Sequence, residues 1–315
     1  MAKPLLSIGI VTFNSAETIL NCINSIVRYC PYEKTEILIV DNNSDDGTTD
    51  LLKDNFLINK SIVNPENMGF AAAVNRLMGI KSGRHLLLIN PDCELQSPVL
   101  QMITDVFSAG ANVGLIGADI RDQDGRPREA YGAFPSPAMA WWDFSGIRKI
   151  FPRKHWSTSI PFPGGPPVEV DYPTGAFYCI RDEALAAGGT FDPRFFAYFE
   201  EADYALRLRK SGFKAIVHPD LRVKHIGGGS FHSALDRYGE DFQLTCYFDS
   251  LFYFLEKHYG LDASKDARRM IRNFASIKSA IGGGSAFGIR HRQVVRILKR
   301  LEKSTAREIY MYNLY

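Results

Sequence analysis

The chain has 315 residues, of which 45% are hydrophobic and 23% are charged, and its formal net charge is +2. This composition is ordinary for a globular protein, and the small net charge gives no reason to expect a nucleic-acid partner. No apolar run reaches the ~18–20 residues that a membrane-spanning helix needs. The length suits one large α/β domain with an appended part, or two modest domains.

The cysteines and the N-terminus bear on the cellular compartment. None of the five cysteines belongs to a Cys-x-x-Cys pair, which predicts reduced thiols in a cytosolic protein and no zinc site. The sequence enters a strand-like run at once, with no signal peptide before it. We therefore expect a cytoplasmic protein whose membrane contact, where it exists, is peripheral and at the inner face of the cell membrane.

The first ~120 residues alternate strand-like and helix-like segments. Leu5–Phe13 is short and rich in β-branched residues, which predicts a buried strand, and the apolar spacing of Ser15–Tyr29 predicts a helix. The segments predicted next are strand Glu36–Asp41, a helix ending near Asn55, strand Ser61–Asn64, helix Gly69–Lys81 and strand His85–Asn90. Strands that alternate with helices predict an α/β fold with a doubly wound, mainly parallel sheet flanked by helices.

Residues 131–173 are rich in proline and hold all three tryptophans, which predicts a long loop or lid. The segments predicted after it are strand Ala176–Ile180, a helix after Arg181, a helix starting at Glu200 and strand Phe213–His218. From Gly227 the chain is predicted to be helical, with an interruption at Gly282–Gly284. The expected organisation is a main domain over residues 1–230 and a C-terminal helical extension over 231–315.

Three polar clusters follow predicted strands: Thr12-Phe13-Asn14, Asp41-Asn42-Asn43 and Asn90-Pro91-Asp92. In doubly wound sheets, ligands bind beyond the carboxyl ends of the strands. We therefore expect the three clusters to converge on one edge of the sheet and to form a ligand site there.

Two of the candidate motifs suit a nucleotide. The Asp41 carboxylate can accept hydrogen bonds from a pyrimidine or a ribose, although turn chemistry alone also explains Asp and Asn there. The small residues from Asn67 through Gly69 and Phe70 to Asn75 open a helix whose amides can approach a diphosphate. An N-cap with tight packing against the sheet is the alternative, and Asn75 can face either the ligand or solvent.

Two further residues suit a divalent cation. The Asp92 carboxylate can hold a cation that bridges two phosphates, with Glu94 as a further candidate, or it can belong to a simple strand exit. A neutral His225 imidazole can complete the metal shell, or it can be structural.

Acidic residues open the helix at Glu200. One of Glu200 and Glu201 can serve as a general base that takes a proton from an acceptor hydroxyl. The helix dipole alone also favours acids at this position, and Asp203 can simply pair with Arg207 four residues later.

Other α/β enzymes lack support in the sequence. The two Gly-Gly-Gly-Ser stretches, 227–230 and 282–285, are not followed by the Lys-Ser or Lys-Thr of a phosphate-binding loop. The chain also has no Gly-x-Gly-x-x-Gly after the first strand and no Gly-x-Ser-x-Gly, which argues against a dinucleotide dehydrogenase and an α/β-hydrolase.

Taken together, these segments resemble the inverting family 2 glycosyltransferases with the GT-A fold, most closely the rhamnosyltransferase-like branch. The matching stretches follow the family's order over about seven tenths of the chain. They are Val11-Thr12-Phe13-Asn14, Ile39-Val40-Asp41-Asn42-Asn43-Ser44, Asn67-Met68-Gly69-Phe70, Leu88-Ile89-Asn90-Pro91-Asp92, Thr174-Gly175-Ala176-Phe177, Phe191-Asp192, Tyr198-Phe199-Glu200-Glu201-Ala202-Asp203 and His225-Ile226-Gly227-Gly228.

The resemblance implies roles for individual residues. The positions implied to bind the nucleotide are Thr12, Phe13, Asn14, Asp41, Asn43, Asn67, Gly69, Phe70, Asn75, Asn90 and Asp92. A Mg²⁺ or Mn²⁺ cofactor would be held by Asp92 and His225, and Glu201 or Glu200 would be the base. The sugar and acceptor would be contacted by Thr174, Gly175, Ala176 and Asp203.

This sequence departs from the family pattern at two of these places. The base position holds Glu where the family has Asp, so the choice between Glu200 and Glu201 stays open. The metal motif is Asn-Pro-Asp instead of Asp-x-Asp, which leaves one fewer carboxylate for the cation.

The resemblance also implies the reaction, a single displacement with inversion at the anomeric carbon. The donor is expected to be dTDP-L-rhamnose, with UDP-galactose, UDP-galactofuranose and UDP-N-acetylglucosamine as alternatives. The acceptor is a glycan or lipid-linked glycan in the synthesis of cell-surface polysaccharides such as O-antigen. Two other functions stay open: a nucleotidyltransferase, and a nucleotide-binding protein without turnover.

The C-terminal third lies outside the resemblance. It combines an apolar helix near residues 242–255 with a basic tail. In the middle of the chain, Trp141-Trp142 precede the cations Arg148, Lys149, Arg153 and Lys154. This mixture indicates either peripheral membrane contact or a helical subdomain with a solvated basic face and a homodimer contact.

Overall fold

The computed structural model describes residues 3–145, 157–227, 238–239, 241–303, 305 and 308. The chain forms two compact units. The sheet unit comprises Met1–Phe134, Thr158–Arg194 and Glu200–Ser233, and the helical unit comprises Pro135–Ser157, Phe195–Phe199 and Ala234–Tyr315. The internal segments Pro135–Ser157 and Phe195–Phe199 thus group with the C-terminal helices. A single boundary along the chain does not describe this grouping.

The elements are numbered in chain order. The strands are β1 (Leu6–Thr12), β2 (Thr35–Asp41), β3 (Lys60–Val63), β4 (His85–Ile89), β5 (Cys93–Leu95), β6 (Val113–Arg121), β7 (Glu129–Gly132), β8 (Ile160–Pro161), β9 (Val168–Val170), β10 (Tyr172–Pro173), β11 (Phe177–Ile180) and β12 (Lys214–His225). The helices are α1 (Ile19–Tyr29), α2 (Thr48–Leu52), α3 (Phe70–Ile80), α4 (Leu100–Ala109), α5 (Pro137–Ser145), α6 (Asp182–Gly188), α7 (Glu200–Lys210), α8 (Phe242–Tyr259), α9 (Leu261–Gly282) and α10 (Ala286–Arg300).

Within the described residues, the main sheet has nine strands in the order β3-β2-β1-β4-β11-β6-β12-β5, with β9 also paired to β12. The pairs β1 with β2, β1 with β4, β2 with β3 and β12 with β6 are parallel. Because β11 is antiparallel to both β4 and β6, six strands of this sheet run in one direction. The predicted α/β fold with a mainly parallel sheet is confirmed.

The centre of the sheet is apolar on both faces. In β1, Leu6, Ile8 and Ile10 are fully buried. On α1, Ile19, Cys22, Ile23 and Ile26 recur every three or four residues and are all buried. Each such side chain contributes about 1.5–3 kcal/mol when it is fully buried, so this packing fixes the position of β1.

The segment 131–173 is not a continuous loop, which corrects the sequence-based expectation. It contains α5 and the short strands β8 to β10, and residues 146–156 lie outside the described part. Strands β10, β7 and β8 form a small second sheet. Two of its prolines, Pro161 and Pro173, lie in edge strands, which tolerate proline, so a high proline content does not by itself indicate a loop here.

Strand β12 is longer than predicted, and it carries the predicted run Phe213–His218 on to His225. Its register with β6 shifts between His218 and Arg222, which leaves Pro219 outside the ladder. A bulge is the usual way for a strand to pass a proline, which lacks the amide hydrogen that the ladder uses.

The helical unit contains α8, α9 and α10, in agreement with the helical pattern of the C-terminal sequence. Phe248 and Phe252 stack on α8 with ring centroids 6.0 Å apart. Ile271 on α9 and Ile297 on α10 are fully buried. The predicted interruption at Gly282–Gly284 is the turn between α9 and α10.

At the amino edge of the sheet, a buried carboxylate on β2 is hydrogen-bonded to β1 and to the turn before β4. Oε1 of Glu36 accepts hydrogen bonds from Ser7 Oγ at 2.6 Å and from Gly83 N at 2.9 Å. The Ser82 amide donates to the same oxygen. Burial alone would raise the pKa of Glu36, but the hydrogen bonds from Ser7, Ser82 and Gly83 outweigh it and lower the pKa.

We expect Glu36→Gln to destabilise the fold by about 1–3 kcal/mol at pH 7, because its amide NH₂ group meets the donors that the carboxylate accepts. Since the folded pKa lies below the unfolded value, the contribution of Glu36 is present above the unfolded pKa and is lost as the pH falls. Urea unfolding at pH 7 and at pH 4 measures both effects.

The nearby exposed residue Glu33 supplies the control, because Glu33→Gln should leave the unfolding free energy within about 0.5 kcal/mol of the original value. A stability loss in Glu36→Gln that stayed constant between the two pH values would contradict the assigned role.

Candidate active site

The ends of β1 and β2 are joined by a buried carboxylate. Thr12 stands opposite Asp41 in the parallel register, and Thr12 Oγ1 donates to Asp41 Oδ2 at 2.7 Å. Ser44 donates to the same carboxylate through its amide at 2.8 Å and through Oγ at 2.5 Å. Asp41 is fully buried. Because it accepts two hydrogen bonds from Ser44, this predicted nucleoside contact also organises the loop after β2.

Asparagines with positive φ shape the loops at this edge. Asn14 has φ +47° and Asn43 has φ +65°, in the left-handed region that Asn tolerates better than most residues. The Asn14 side chain donates to Asp45 Oδ1 at 2.8 Å and accepts from the Asp45 amide at 2.9 Å. The two predicted nucleotide-binding loops are therefore joined by hydrogen bonds. The predicted contact Phe13, the first residue of the loop after β1, is buried.

The start of α3 is tied to the end of β2. Asn42 Nδ2 donates to the Gly69 carbonyl at 3.2 Å, and the Gly69 amide donates to Asn67 Oδ1 at 3.0 Å. Gly69 has φ +82°, which a glycine adopts without strain, and Phe70 begins the helix directly after it. The predicted positions Asn67, Gly69 and Phe70 thus lie beside Asn42, one residue after Asp41.

Asn75 has a structural partner instead of an open side chain. Its Nδ2 donates to the Phe191 carbonyl at 2.8 Å, and its Oδ1 accepts from the Phe191 amide at 2.8 Å. This pair holds the segment after α6 against α3. The sequence analysis expected the Asn75 side chain to face either the ligand or solvent, and it did not anticipate this pair of hydrogen bonds. The nucleotide contact of Asn75 stays a prediction.

Asp92 and His225 meet at the predicted cation site. His225 Nε2 lies 3.2 Å from Asp92 Oδ2, and the Ile226 amide donates to the Asp92 carbonyl at 3.0 Å. The two residues are brought together because β5 pairs with β12 antiparallel, with Cys93 opposite His225. An imidazole nitrogen and a carboxylate oxygen at this separation fit a shared divalent cation.

Cys93 is a third group in this cluster, which sequence reasoning missed. Potential ligand atoms of Asp92, Cys93 and His225 all lie within 4.8 Å of one another. Burial, with Asp92 nearby, raises the pKa of the Cys93 thiol well above its usual range, and a neutral thiol is a poor ligand for Mg²⁺ or Mn²⁺. Glu94, the further candidate, instead pairs with Lys224 at 2.6 Å.

The predicted sugar-contact segment adjoins the predicted cation loop. The Asn90 amide donates to the Ala176 carbonyl at 3.3 Å, and Phe177 stands opposite Ile89 in the register of β11 with β4. A Cβ placed on Gly175 would meet nothing within 4 Å. Gly175 therefore borders open space, whereas Ala176 is buried and Thr174 Oγ1 donates to the Glu129 carbonyl.

Two buried carboxyl groups open α7. Oε2 of Glu200 and Oε2 of Glu201 are buried and have no hydrogen-bond partner in the part of the chain that the structure describes. Burial raises the pKa of both groups, that of Glu200 well above its usual range and that of Glu201 to about 7. The proximity of the two carboxyl groups raises the pKa of Glu200 further, so the pair holds a proton near neutral pH.

Asp203 is paired within its own helix. Its Oδ2 lies 3.0 Å from Nε of Arg207, and the Asp203 side chain is fully buried. Arg207 also donates to the carbonyls of Gly188 and Thr190. This is the pairing that the spacing of four residues allowed, and the acceptor contact of Asp203 stays a prediction.

The structure thus brings most predicted site residues to one edge of the sheet. Strands β1, β2, β4 and β12 run in the same direction and end at Thr12, Asp41, Ile89 and His225. The Tyr178 hydroxyl on β11 donates to the Glu201 carbonyl at 3.0 Å, which fixes the start of α7 beside the same strands. No hydrogen bond among the described residues links the α7 carboxylates to Asp41 or Asp92.

Comparison with protein families decides the classification. The model of Glycosyl transferase family 2 matches residues 7–166, just over half of the chain. The chain is a family 2 glycosyltransferase. The matched range includes the hydrogen-bonded loops around Asp41 and the loop that carries Asp92.

Two relatives of this glycosyltransferase illustrate the range of the match. The N-acetylglucosaminyl-diphospho-decaprenol L-rhamnosyltransferase of Mycobacterium tuberculosis is 27% identical over 202 residues, which are 60% of this chain and 66% of the relative. Glycosyltransferase AglE of Haloferax volcanii is 30% identical over 146 residues, 43% of this chain and 47% of the relative. The alignments span less than two thirds of either relative's length.

Solved structures share the fold of this glycosyltransferase. GalNAc-T7, crystallised with UDP, GalNAc and Mn²⁺, gives a TM-score of 0.55 at 15% identity and covers 90% of this chain and 58% of its own. Mannosyltransferase PcManGT of Pyrobaculum calidifontis, solved with GDP-Man and Mn²⁺, gives 0.51 at 17% identity and covers 100% of this chain and 89% of its own. The predicted GT-A fold is confirmed. In the described part of the chain, no helix is both long and apolar enough to cross a membrane.

The raised pKa values at the start of α7 predict a pH-dependent stability. Between the unfolded and folded pKa values the native state binds more protons than the unfolded state, so stability falls as the pH rises through the folded values. We expect Glu200→Gln to be more stable than the unsubstituted chain at pH 8, by about 1 kcal/mol or more. Urea unfolding at pH 5.5 and pH 8 measures the difference, which should shrink at the lower pH.

Glu183 supplies the matched control, because it is an exposed glutamate in the first turn of α6. Hydrogen bonding to Arg181 lowers the pKa of Glu183 to about 2, so Glu183→Gln should produce no gain at pH 8. An identical pH trend in both variants would show that the Glu200 carboxyl is not the source.

Proposed function

We propose that this glycosyltransferase transfers one sugar from a nucleoside diphosphate to a hydroxyl group, with inversion at the anomeric carbon. The donor is dTDP-L-rhamnose and the acceptor is a glycan or lipid-linked glycan used in cell-surface polysaccharide synthesis. The observation that carries the proposal is the pairing of Asp92 with His225 at the edge that also holds Asp41. The rhamnosyltransferase relative from Mycobacterium tuberculosis supports L-rhamnose as the sugar.

The nucleoside would bind across the loops after β1 and β2. Phe13, Asn14 and Asn43 belong to these loops, and Thr12 and Asp41 end the strands before them. Hydrogen bonds from Thr12 to Asp41 and between Asn14 and Asp45 hold the two loops together. Such preorganisation lowers the entropy that binding costs. The start of α3 would face the diphosphate with the first helical amides, from Phe70 onward, while Asn67 accepts from the Gly69 amide just before the helix.

Asp92 and His225 would hold a divalent cation, Mg²⁺ or Mn²⁺. When bound, the cation supplies positive charge to the phosphates of the departing nucleoside diphosphate. The residues fit this role because one carboxylate and one imidazole leave most coordination positions for phosphate and water. Asn90 adds an amide beside them that can orient the diphosphate without charge.

Glu201 would act as the base. Its carboxylate takes the proton from the acceptor hydroxyl as that oxygen forms a bond to the anomeric carbon, while the bond from the anomeric carbon to the diphosphate oxygen breaks on the opposite face. The electron pair of the broken bond leaves with the nucleoside diphosphate. A pKa near neutrality suits a base that must accept a proton at physiological pH.

The general-base assignment predicts the effect of single substitutions. Glu201→Gln should lower kcat by about 10²–10⁴-fold, because general bases typically contribute that factor. The rate of the unsubstituted enzyme should rise with pH through about 7, where the raised pKa of Glu201 lies. Steady-state transfer assays between pH 5.5 and pH 9 measure both quantities.

Glu200→Gln serves as the comparison, since the two residues are adjacent in the sequence and each has a buried Oε2 atom. A large loss in Glu200→Gln with full activity in Glu201→Gln would exchange the roles of the two residues. Full transfer rates in both variants would remove α7 from the catalytic assignment.

The donor and cation assignments predict the outcome of a thermal-shift panel. dTDP-L-rhamnose with Mg²⁺ or Mn²⁺ should raise Tm more than UDP-galactose, UDP-galactofuranose or UDP-N-acetylglucosamine, since a ligand at 100 times its Kd adds about 2.7 kcal/mol. Asp92→Ala should abolish the additional rise that the cation gives.

Lys34→Ala is the control for the panel, because Lys34 is exposed before β2, at the amino edge of the sheet. If a UDP-sugar raised Tm more than dTDP-L-rhamnose did, the donor would be that UDP-sugar. If the nucleotide sugar raised Tm equally with and without the cation, the cation site would be refuted.

A further inference from the structure

The turn between α9 and α10 is held rigid by close backbone contacts. A Cβ on Gly282 would lie 2.6 Å from the Gly288 amide nitrogen, and Gly283 has φ +48°. Ser285 caps α10, because its Oγ accepts from the Gly288 amide at 3.3 Å. The second Gly-Gly-Gly-Ser stretch, which the catalytic site leaves unexplained, therefore builds a tight helical hairpin.

Large apolar side chains are exposed on both sides of this turn. Ile281 is 80% exposed, Ile277 and Ile289 are each 55% exposed, and Phe287 is 45% exposed. Among the described residues, four of the thirteen exposed large apolar side chains lie within residues 277–289. Ile277 and Ile281 stand four apart on one face of α9, so the exposed apolar surface is continuous along that helix.

A basic groove of about 910 Å³ runs between the same two helices. Its charged lining consists of one acid, Glu302, and six cations, Arg272, Arg292, Arg296, Lys299, Arg300 and Lys303. Glu302 pairs with Arg272, and Asp241 pairs with Arg296 at 2.8 Å. The side-chain amines of Lys299 and Lys303 have no hydrogen-bond or ion-pair partner among the described residues, so the groove keeps an excess of positive charge.

The apolar and basic surfaces adjoin on α10, at Ile289. Ile289, Arg292 and Arg296 are spaced three and four residues apart, which places them on one face of α10. Helices that lie at a membrane interface combine apolar side chains, which enter the acyl boundary, with cations that meet lipid phosphates. An apolar surface beside cations is complementary to an anionic bilayer, whereas a nucleic acid offers no apolar layer to bury the isoleucines.

We propose that the hairpin of α9 and α10 docks the protein on a bilayer that contains anionic phospholipid. The exposed side chains near the turn enter the interface, and the basic groove receives lipid phosphate groups. This inference does not depend on the proposed donor or acceptor, since it uses residues of the helical unit alone.

Vesicle flotation of the full chain tests the proposal. The chain should float with vesicles of phosphatidylcholine that contain 30% phosphatidylglycerol, and much less with pure phosphatidylcholine. Each cation near an anionic leaflet contributes roughly fivefold to the partition coefficient, so Lys299→Glu with Lys303→Glu should lower it at least twentyfold. Ile281→Glu should lower it by about tenfold or more, because its side chain no longer enters the interface.

Matched controls come from exposed residues of the sheet unit. Phe56→Glu should leave flotation unchanged, as should the double variant Lys34→Glu with Lys53→Glu, since these side chains are also exposed. The Tm rise with nucleotide should be the same in all variants, which separates loss of docking from loss of the proposed catalytic site.

Two results would overturn the proposal. One is flotation that Ile281→Glu and the double lysine variant leave unchanged. The other is a dimer in sedimentation velocity that Ile281→Glu dissociates while flotation persists, which would assign the apolar surface to a second copy of the chain.

Discussion

The parallel pairing of β1 with β2 is the constraint on which the rest of the site depends. Its register sets Thr12 opposite Asp41, and one hydrogen bond of 2.7 Å joins their side chains. Successive residues of a strand point to opposite faces, so a slip of one residue would move the apolar side chains of β1 to the other face of the sheet and separate this pair. The fully buried Ile8 and Ile10 make such a slip costly, and core packing thereby fixes the polar loops beyond the strand ends.

A second pairing, of β5 with β12, has the same effect at the other side of the sheet. Asp92 precedes β5 and His225 ends β12, more than 130 residues later, and their contact exists because Cys93 stands opposite His225. The contact between Asp92 and His225, and with it the proposed cation site, thus depends on a short antiparallel strand that a propensity argument does not reveal. The three-residue β5 is too brief to show an apolar alternation, and Pro219 conceals the continuity of β12.

The order of strands and helices up to His85 could be predicted, because each apolar run there is short and bounded by polar turns. The loops after β1, β2 and β4 followed from the rule that ligands bind at carboxyl ends. The clamp between Asn75 and the Phe191 backbone could not be predicted, since it joins residues 116 positions apart and asparagine has no preference that indicates such a partner. The grouping of residues 135–157 and 195–199 with the C-terminal helices also depends on tertiary contacts alone.

The chemistry of the proposed cation site follows from the replacement of one acid by an amide. With Asn90 in place of a second carboxylate, Asp92 would supply the single carboxylate of the motif, and the His225 imidazole would add a nitrogen ligand. A divalent cation is then attracted less by the protein alone than by the protein together with a diphosphate, which brings its own negative charges. Linkage requires the reverse as well: if the diphosphate strengthens cation binding, the cation strengthens nucleotide binding by the same factor. The Asn-Pro-Asp motif therefore favours joint binding of donor and cation, and release of the nucleoside diphosphate would weaken the hold on the cation after each transfer.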